Sequence, residues 1–293
     1  MEGETTMFWN LFRIEQTKLL KRAMLWIEIG LLALLVVVFQ LMLFVALRST
    51  PASAQFPEEV RAQLQEMVTW PLGLNTVLSF AGGNSLGGLL LVVLVGAITG
   101  QEYTWRTLHL WLSHGASRAG LLAAKFVALL LPMALIVLTP VLVGGLLTAY
   151  FTVTLNGALN PADVDFGQLA LDIARTAYTL LPYAALAFLL AVVTRSTVAA
   201  IGGSLAYSML IEGILMQILQ FISGTIAKIT IYLPAGLAVG VMGGPAGQVS
   251  VNGQTAASLV YLDPGPAALG IALYTILFVG LAMWAFRRQD LTG

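Results

Sequence analysis

Apolar runs long enough to cross a lipid bilayer constrain this chain more than any other feature. Between Met24 and Leu47 only Glu28 and Gln40 interrupt the apolar residues, and comparable runs recur along the sequence. A hydrocarbon core about 30 Å thick takes about 20 helical residues to span. Within it every backbone amide must bond inside its own segment, so such runs fold as helices. Composition agrees: 58% of the 293 residues are hydrophobic and only 10% are charged. The reading is an all-α integral membrane protein with a single transmembrane domain over 1–293. Its six spans lie at about 24–47, 77–100, 119–150, 174–193, 198–221 and 267–286.

Residues 7–22 place Phe8, Leu11, Phe12 and Leu19 at helical spacing with Arg13, Thr17 and Lys21 opposite. That pattern predicts an amphipathic helix in the membrane interface. No small-residue cleavage site closes the first apolar run, so that run is expected to remain as an anchor. Glu28, one turn inside the basic end, is expected to reach Lys21 or Arg22 or to snorkel outward. Arg48 to Trp70 is too polar to span and holds a short surface helix around EEVRAQLQEM. The second span carries Gly82, Gly83, Gly87 and Gly88, small residues that let helix backbones approach in lipid. These glycines, with the fifth span, are candidates for an interface between two halves of an assembly. Pro132 and Pro140 predict bends in the long third span. Thr194 to Thr197 is a tight turn into the fifth span, and Arg287-Arg288 closes the last one. Region 222–266 is apolar in part, but Lys228, Pro234, Gly236 and Gly240 break it. A re-entrant or interfacial hairpin at 226–242 fits better than a seventh span.

Charge distribution sets the orientation. With both termini cytoplasmic, the inside segments hold ten bases: Arg13, Lys18, Lys21, Arg22, Arg106, Arg118, Lys125, Arg195, Arg287 and Arg288. The outside segments hold four: Arg48, Arg61, Arg175 and Lys228. Positive charge is retained on the cytoplasmic side, so a multi-pass protein of the plasma (inner) membrane with cytoplasmic termini is expected.

Chemistry of its own is hard to assemble from these residues. The net charge of zero gives no reason to expect nucleic acid as a partner, and without cysteine there is no thiolate site. GGNSLGG at 82–88 lacks the Lys-Ser/Thr of a phosphate-binding loop, so no ATPase or other enzymatic activity and no metal or cofactor is expected in this chain. His109 and His114 are five apart and do not share a helical face. Glu212 lies within an apolar run, where an acid faces a partner, a cavity or water. Gln217 and Gln220 lie roughly 140° and 80° around the helix from it, so the three form no single stripe. Glu212 is a candidate for a translocation path, with a bond to a neighbouring helix as the alternative.

The stretch QEYTWRTLHLWLSHGASRAGLLAAK at 101–125 interrupts two apolar runs with an ordered polar series. It resembles the loop after the second span in ABC-2 type transporter permeases, the membrane subunits of a class of ATP-binding-cassette exporters. In many of these a pattern like E-Y-x-W-G-T-L is followed by a leucine-rich segment, Ser-Arg and a lysine. Glu102, Tyr103, Trp105, Thr107, Leu108, Ser117, Arg118 and Lys125 match; Arg106 stands where glycine is usual and Ala116 where proline often precedes Ser-Arg. The layout of spans is similar too. The resemblance implies that 101–118 forms a cytoplasmic coupling helix seated on a separate ATPase subunit. Glu102, Tyr103, Trp105, Arg106, Thr107, Leu108, Trp111, Leu112 and Arg118 would be the contact residues. It also implies two ATPase copies holding ATP and Mg, a second permease half, identical or related, and surrounding lipid. A membrane-anchored enzyme or assembly factor without transport, or a secondary transporter, are the alternative classes; a secondary transporter should show internal repeats or paired broken helices, and the two halves of the sequence show no convincing self-similarity.

Overall fold

A computed structural model describes residues 2–49, 58–104, 117–215, 227–243, 250–251, 254–255 and 262–289. Apart from a two-residue antiparallel pairing of Ser250–Val251 with Gln254–Thr255, every regular element described is helical. Among the described residues six helical stretches are long and apolar enough to cross a membrane, which makes the chain a multi-pass membrane protein.

Helix α1 (Glu2–Lys21) leads through Arg22 into α2 (Ala23–Ser49), the first long apolar helix. Its Leu11 and Leu19 are buried while Arg13, Thr17 and Lys21 are exposed, the division that the spacing predicts. After α3 (Glu58–Val68), Trp70 turns the chain: its amide donates to Thr152 Oγ1 and its indole to Thr148 Oγ1, both at 2.9 Å.

The second span departs from its expected form. Instead of one helix from 77 to 100, α4 (Leu72–Ser79) ends in a tight turn and α5 (Leu86–Thr104) restarts after it. Gly87 N–H donates to Phe80 O at 2.8 Å and Gly88 N–H to Gly82 O at 3.1 Å, so the chain folds back on its own backbone. A Cβ on Gly88 would sit 1.8 Å from Gly83 O, and one on Gly87 2.6 Å from Ala81 O. Gly83 itself lies against Tyr183 and the Thr179 carbonyl, and Gly82 against Ser85. The four glycines expected at a half-to-half interface thus make a turn and a contact inside one chain. Further along α5, Gly96 and Gly100 bring its backbone against Ile201 and Thr197.

The third span comprises α6 (Arg118–Ala128) and α7 (Leu130–Asn156), with a hitch at Leu129. Pro132 explains it: a proline has no N–H for the carbonyl four residues earlier. That carbonyl, Ala128 O, accepts from Gln16 Nε2 of α1 at 3.1 Å. Pro140 lies inside α7. The helix runs on to Gly157, whose φ of 79° closes it in the left-handed region. The third span, expected to end near 150, is accordingly longer, and Asp165 caps α8 (Phe166–Thr179), which begins before the expected start of the fourth span at 174. Helix α9 (Leu181–Thr194) continues from α8 with a second hitch at Leu180, before Pro182.

Arg195 in the left-handed region and Ser196 as N-cap form the turn into α10 (Thr197–Leu215), which winds as a π-helix over Ala206–Glu212. In the region expected to be re-entrant, a 3-10 turn (Ala227–Tyr232) precedes α11 (Pro234–Val241), an eight-residue helix packed through Leu237 and Val241 on Ala267 and Ile271. Those two residues belong to α12 (Pro264–Arg287), the last long helix. At the centre of the bundle Tyr183, Phe188, Leu91, Leu121 and Ile136 are fully buried.

Candidate functional site

Both ends of the 105–116 segment are fastened to the bundle. The segment itself, with Trp105, Arg106, Thr107, Leu108, His109, Trp111, Leu112 and His114, lies outside the described residues. Glu102, Tyr103 and Arg118, the other expected contact residues, are described, and each makes contacts far away in sequence.

On the entry side, α5 ends in Gln101, Glu102 and Tyr103. Gln101 Oε1 accepts from Arg22 Nη1 at 2.7 Å, at the junction of α1 and α2. Glu102 is buried and takes the Lys125 ammonium on Oε1 at 2.6 Å. The same Lys125 Nζ donates to Glu15 Oε1 at 2.9 Å. Lys18 Nζ bonds Glu15 at 2.8 Å and stands 3.8 Å from Glu102. Two acids and two bases from α1, α5 and α6 therefore balance in a cluster in which Glu15, Glu102 and Lys125 are buried and Lys18 is partly exposed; pairing is the condition under which charge is tolerated away from water. Burial alone works to raise the Glu15 pKa, but the Lys125 and Lys18 ammoniums hold the carboxyl below the ordinary carboxylate range.

On the exit side, Ser117 Oγ accepts from Gly120 N–H at 3.1 Å and caps α6. Arg118 Nη1 then reaches the carbonyls of Phe286, Arg287 and Gln289 at 3.4, 3.0 and 2.9 Å, the acceptors left open at the C-terminal end of α12. Gln289 completes the ring. Its Nε2 donates to Val192 O near the end of α9 at 2.7 Å, and its Oε1 accepts from Tyr103 OH at 3.4 Å. Ends of α1, α5, α6, α9 and α12 are joined at one face of the bundle by side chains flanking the 105–116 segment.

Sequence reasoning missed Glu15, Gln16 and Gln289. Glu15 did carry a signal: it sits four residues after Leu11 and four before Leu19, an acid on the apolar stripe of α1. Glu28 corrects an expectation. Rather than reaching Lys21 or Arg22, it is buried, and neither carboxylate oxygen has a hydrogen-bond partner among the described residues.

Glu212 is a separate site inside the bundle. It ends the π-helical segment of α10 and is fully buried. Tyr183 OH donates to its Oε2 at 2.6 Å. The Tyr207 hydroxyl and the Ala235 amide at the start of α11 face the same carboxylate at longer range, while Oε1 makes no hydrogen bond of normal geometry. Gln217 and Gln220 lie outside the described residues. The alternative of a bond to a neighbouring helix is thus realised through Tyr183 of α9.

Residues 33–292 match the model of a protein family described as "Protein of unknown function (DUF2705)". No curated protein matches the chain.

Proposed function

The chain belongs to that family, whose description assigns no activity, and we propose from its own residues that it is an ABC-2 type permease: the membrane subunit of an ATP-binding-cassette exporter. The 101–118 segment is the docking site for a separate ATPase subunit, which supplies ATP and Mg. Two such halves, each with its ATPase, make the transporter, and the termini and docking face are cytoplasmic.

The observation that carries the reading is the bracing of the segment at both ends. A loop that only connects two spans needs no buried charge cluster at its entry and no triple carbonyl contact at its exit. A loop that receives a push does need them, because displacement must reach the spans instead of being absorbed locally. Here a push on 105–116 passes through Glu102 and Lys125 to α1, α5 and α6. Through Arg118, Tyr103 and Gln289 it passes to α12 and α9. Trp105, Leu108, Trp111 and Leu112 supply large apolar anchors of the type that dominate protein interfaces. Glu212, held by Tyr183, faces the start of α11 and is the candidate for a polar point on the translocation path.

The test is co-purification from the native membrane. A soluble ATPase should accompany the wild-type chain and be lost when Trp105, Leu108 and Trp111 are replaced by serine. Equal recovery of an ATPase with the triple variant, or none with the wild type, overturns the reading.

A further inference from the structure

The outward face of α1 carries a stripe that the bundle does not use. Asn10, Arg13, Ile14, Thr17, Lys18 and Lys21 line a shallow groove open to the outside along the helix. The acid on this part of α1, Glu15, is turned inward and committed to Lys125 and Lys18, so no described carboxylate faces the groove. Lys18 leans inward to Glu15, which leaves Arg13 and Lys21 as its outward cations. Tryptophans stand at either end: Trp9 is 63% exposed and Trp26 53% exposed. Trp26 is oriented by its indole N–H, which donates to Leu20 O at 2.8 Å. Beyond Trp26 the exposed surface continues without polar interruption through Ile27, Leu31 and Leu34 of α2.

We infer that this stripe is a binding site for the headgroups of anionic phospholipids. Charge and position select the ligand together. Exposed tryptophans favour the headgroup level, and the apolar surface of α2 beginning at Trp26 sets where the acyl chains start. The stripe is therefore held at the depth of lipid phosphates, with the cations Arg13 and Lys21 directed at them. A net-anionic headgroup satisfies Arg13 and Lys21 without bringing an ammonium of its own into the groove, as a zwitterionic one would. Each base near an anionic surface contributes about a fivefold preference, so two give on the order of 25-fold. The site requires only that α1 lie at the membrane surface, and it stands or falls independently of the transport reading.

The experiment uses the full chain reconstituted in phosphatidylcholine vesicles containing brominated phosphatidylglycerol or, at equal mole fraction, brominated phosphatidylcholine, with quenching of tryptophan emission as readout. Wild type should be quenched more strongly by the anionic lipid, with the preference falling as salt is raised. Arg13→Gln/Lys21→Gln should abolish the preference, while the charge-preserving Arg13→Lys/Lys21→Arg and the distant Arg61→Gln/Arg175→Gln should keep it. Equal quenching of wild type by both lipids, or a preference unchanged in the Arg13→Gln/Lys21→Gln variant, overturns the inference. Loss of an accompanying soluble protein from that variant without any lipid preference in the wild type also overturns it, and assigns the stripe to a protein partner.

Discussion

The two ends of α5 are held in place by opposite means. At its N-terminal end the chain reverses through glycines so closely packed that backbone touches backbone, and Tyr183 closes over Gly83. At its C-terminal end Gln101, Glu102 and Tyr103 are held by side chains drawn from α1, α6 and beyond α12. Steric fit is short-ranged and indifferent to pH and salt. Charge pairing acts at longer range and responds to protonation and to the loss of one partner. One end of the helix therefore serves as a fixed point, and the end next to 105–116 is the one whose position is adjustable.

The largest effect is expected at the fixed end. Gly88→Ala adds only a methyl group, but that carbon would lie 1.8 Å from Gly83 O, and backbone has to move. Overpacking in a tight core costs about 1–3 kcal/mol or more, and a backbone contact with no side chain to yield belongs above that range. Folded yield in detergent, read by size-exclusion chromatography, should collapse. Gly202→Ala, where nothing lies within 4 Å, should be neutral. Equal behaviour of the two variants breaks the description of the N-terminal end.

Lys125→Met attacks the other end. It leaves Glu15 and Glu102 buried side by side with only the partly exposed Lys18 to balance them, and breaking a buried pair by removing one partner costs about 3–5 kcal/mol. The thermal midpoint should fall on the order of 10 °C. Adding Glu15→Gln and Glu102→Gln should recover most of that loss, since no buried carboxylate is then stranded and the one remaining charge, Lys18, is the partly exposed member of the cluster. Failure of the triple variant to recover would show that Lys125 matters for packing and not for charge.

How far these two ends were readable from the sequence follows the same division. Lipid forces long apolar runs into helices, so six of them stand out without any tertiary knowledge. Prolines and glycines then moved the boundaries. Gly82–Gly83–Asn84–Ser85 reads in sequence as part of a continuous helix as readily as a turn, and only the backbone contacts from Phe80 to Gly88 show the turn. The 105–116 segment announced itself by its order of residues, but its brace did not. Glu15 and Lys125 are 110 residues apart, and Tyr103 and Gln289 are 186 apart. Periodicity reports which face of a helix is polar and is silent about which distant side chain that face meets.

Acid should separate the two ends without mutation. The Glu15 pKa is held below its ordinary value of 4.5 by Lys125 and Lys18 against the effect of burial. A carboxyl depressed on folding adds stability that is fully present above its unfolded pKa and is lost as pH falls through the folded one. Hydrogen exchange of α1 amides should therefore quicken as pH drops below about 4.5, after correction for intrinsic rates, while amides of the Gly82–Gly88 turn keep their protection. Glu15→Gln should remove this pH dependence. Simultaneous loosening of both ends would mean that they form one cooperative unit.

Thr179→Val is the mildest test and separates packing from hydrogen bonding at the fixed end. Thr179 Oγ1 accepts from the buried Gly83 N–H at 3.3 Å and donates to Thr176 O at 2.7 Å. Valine keeps the shape and removes the acceptor, so the Gly83 amide loses its partner at a cost of about 1–3 kcal/mol. The long 3.3 Å contact argues for the lower end, about 1 kcal/mol, because the Gly83 backbone is already set by the Tyr183 ring and by its own turn. A midpoint lowered by a few degrees, with folded yield near wild type, is the expected outcome. A collapse like that of Gly88→Ala would make the hydrogen bond, and not the close approach of backbone, what holds the N-terminal end of α5.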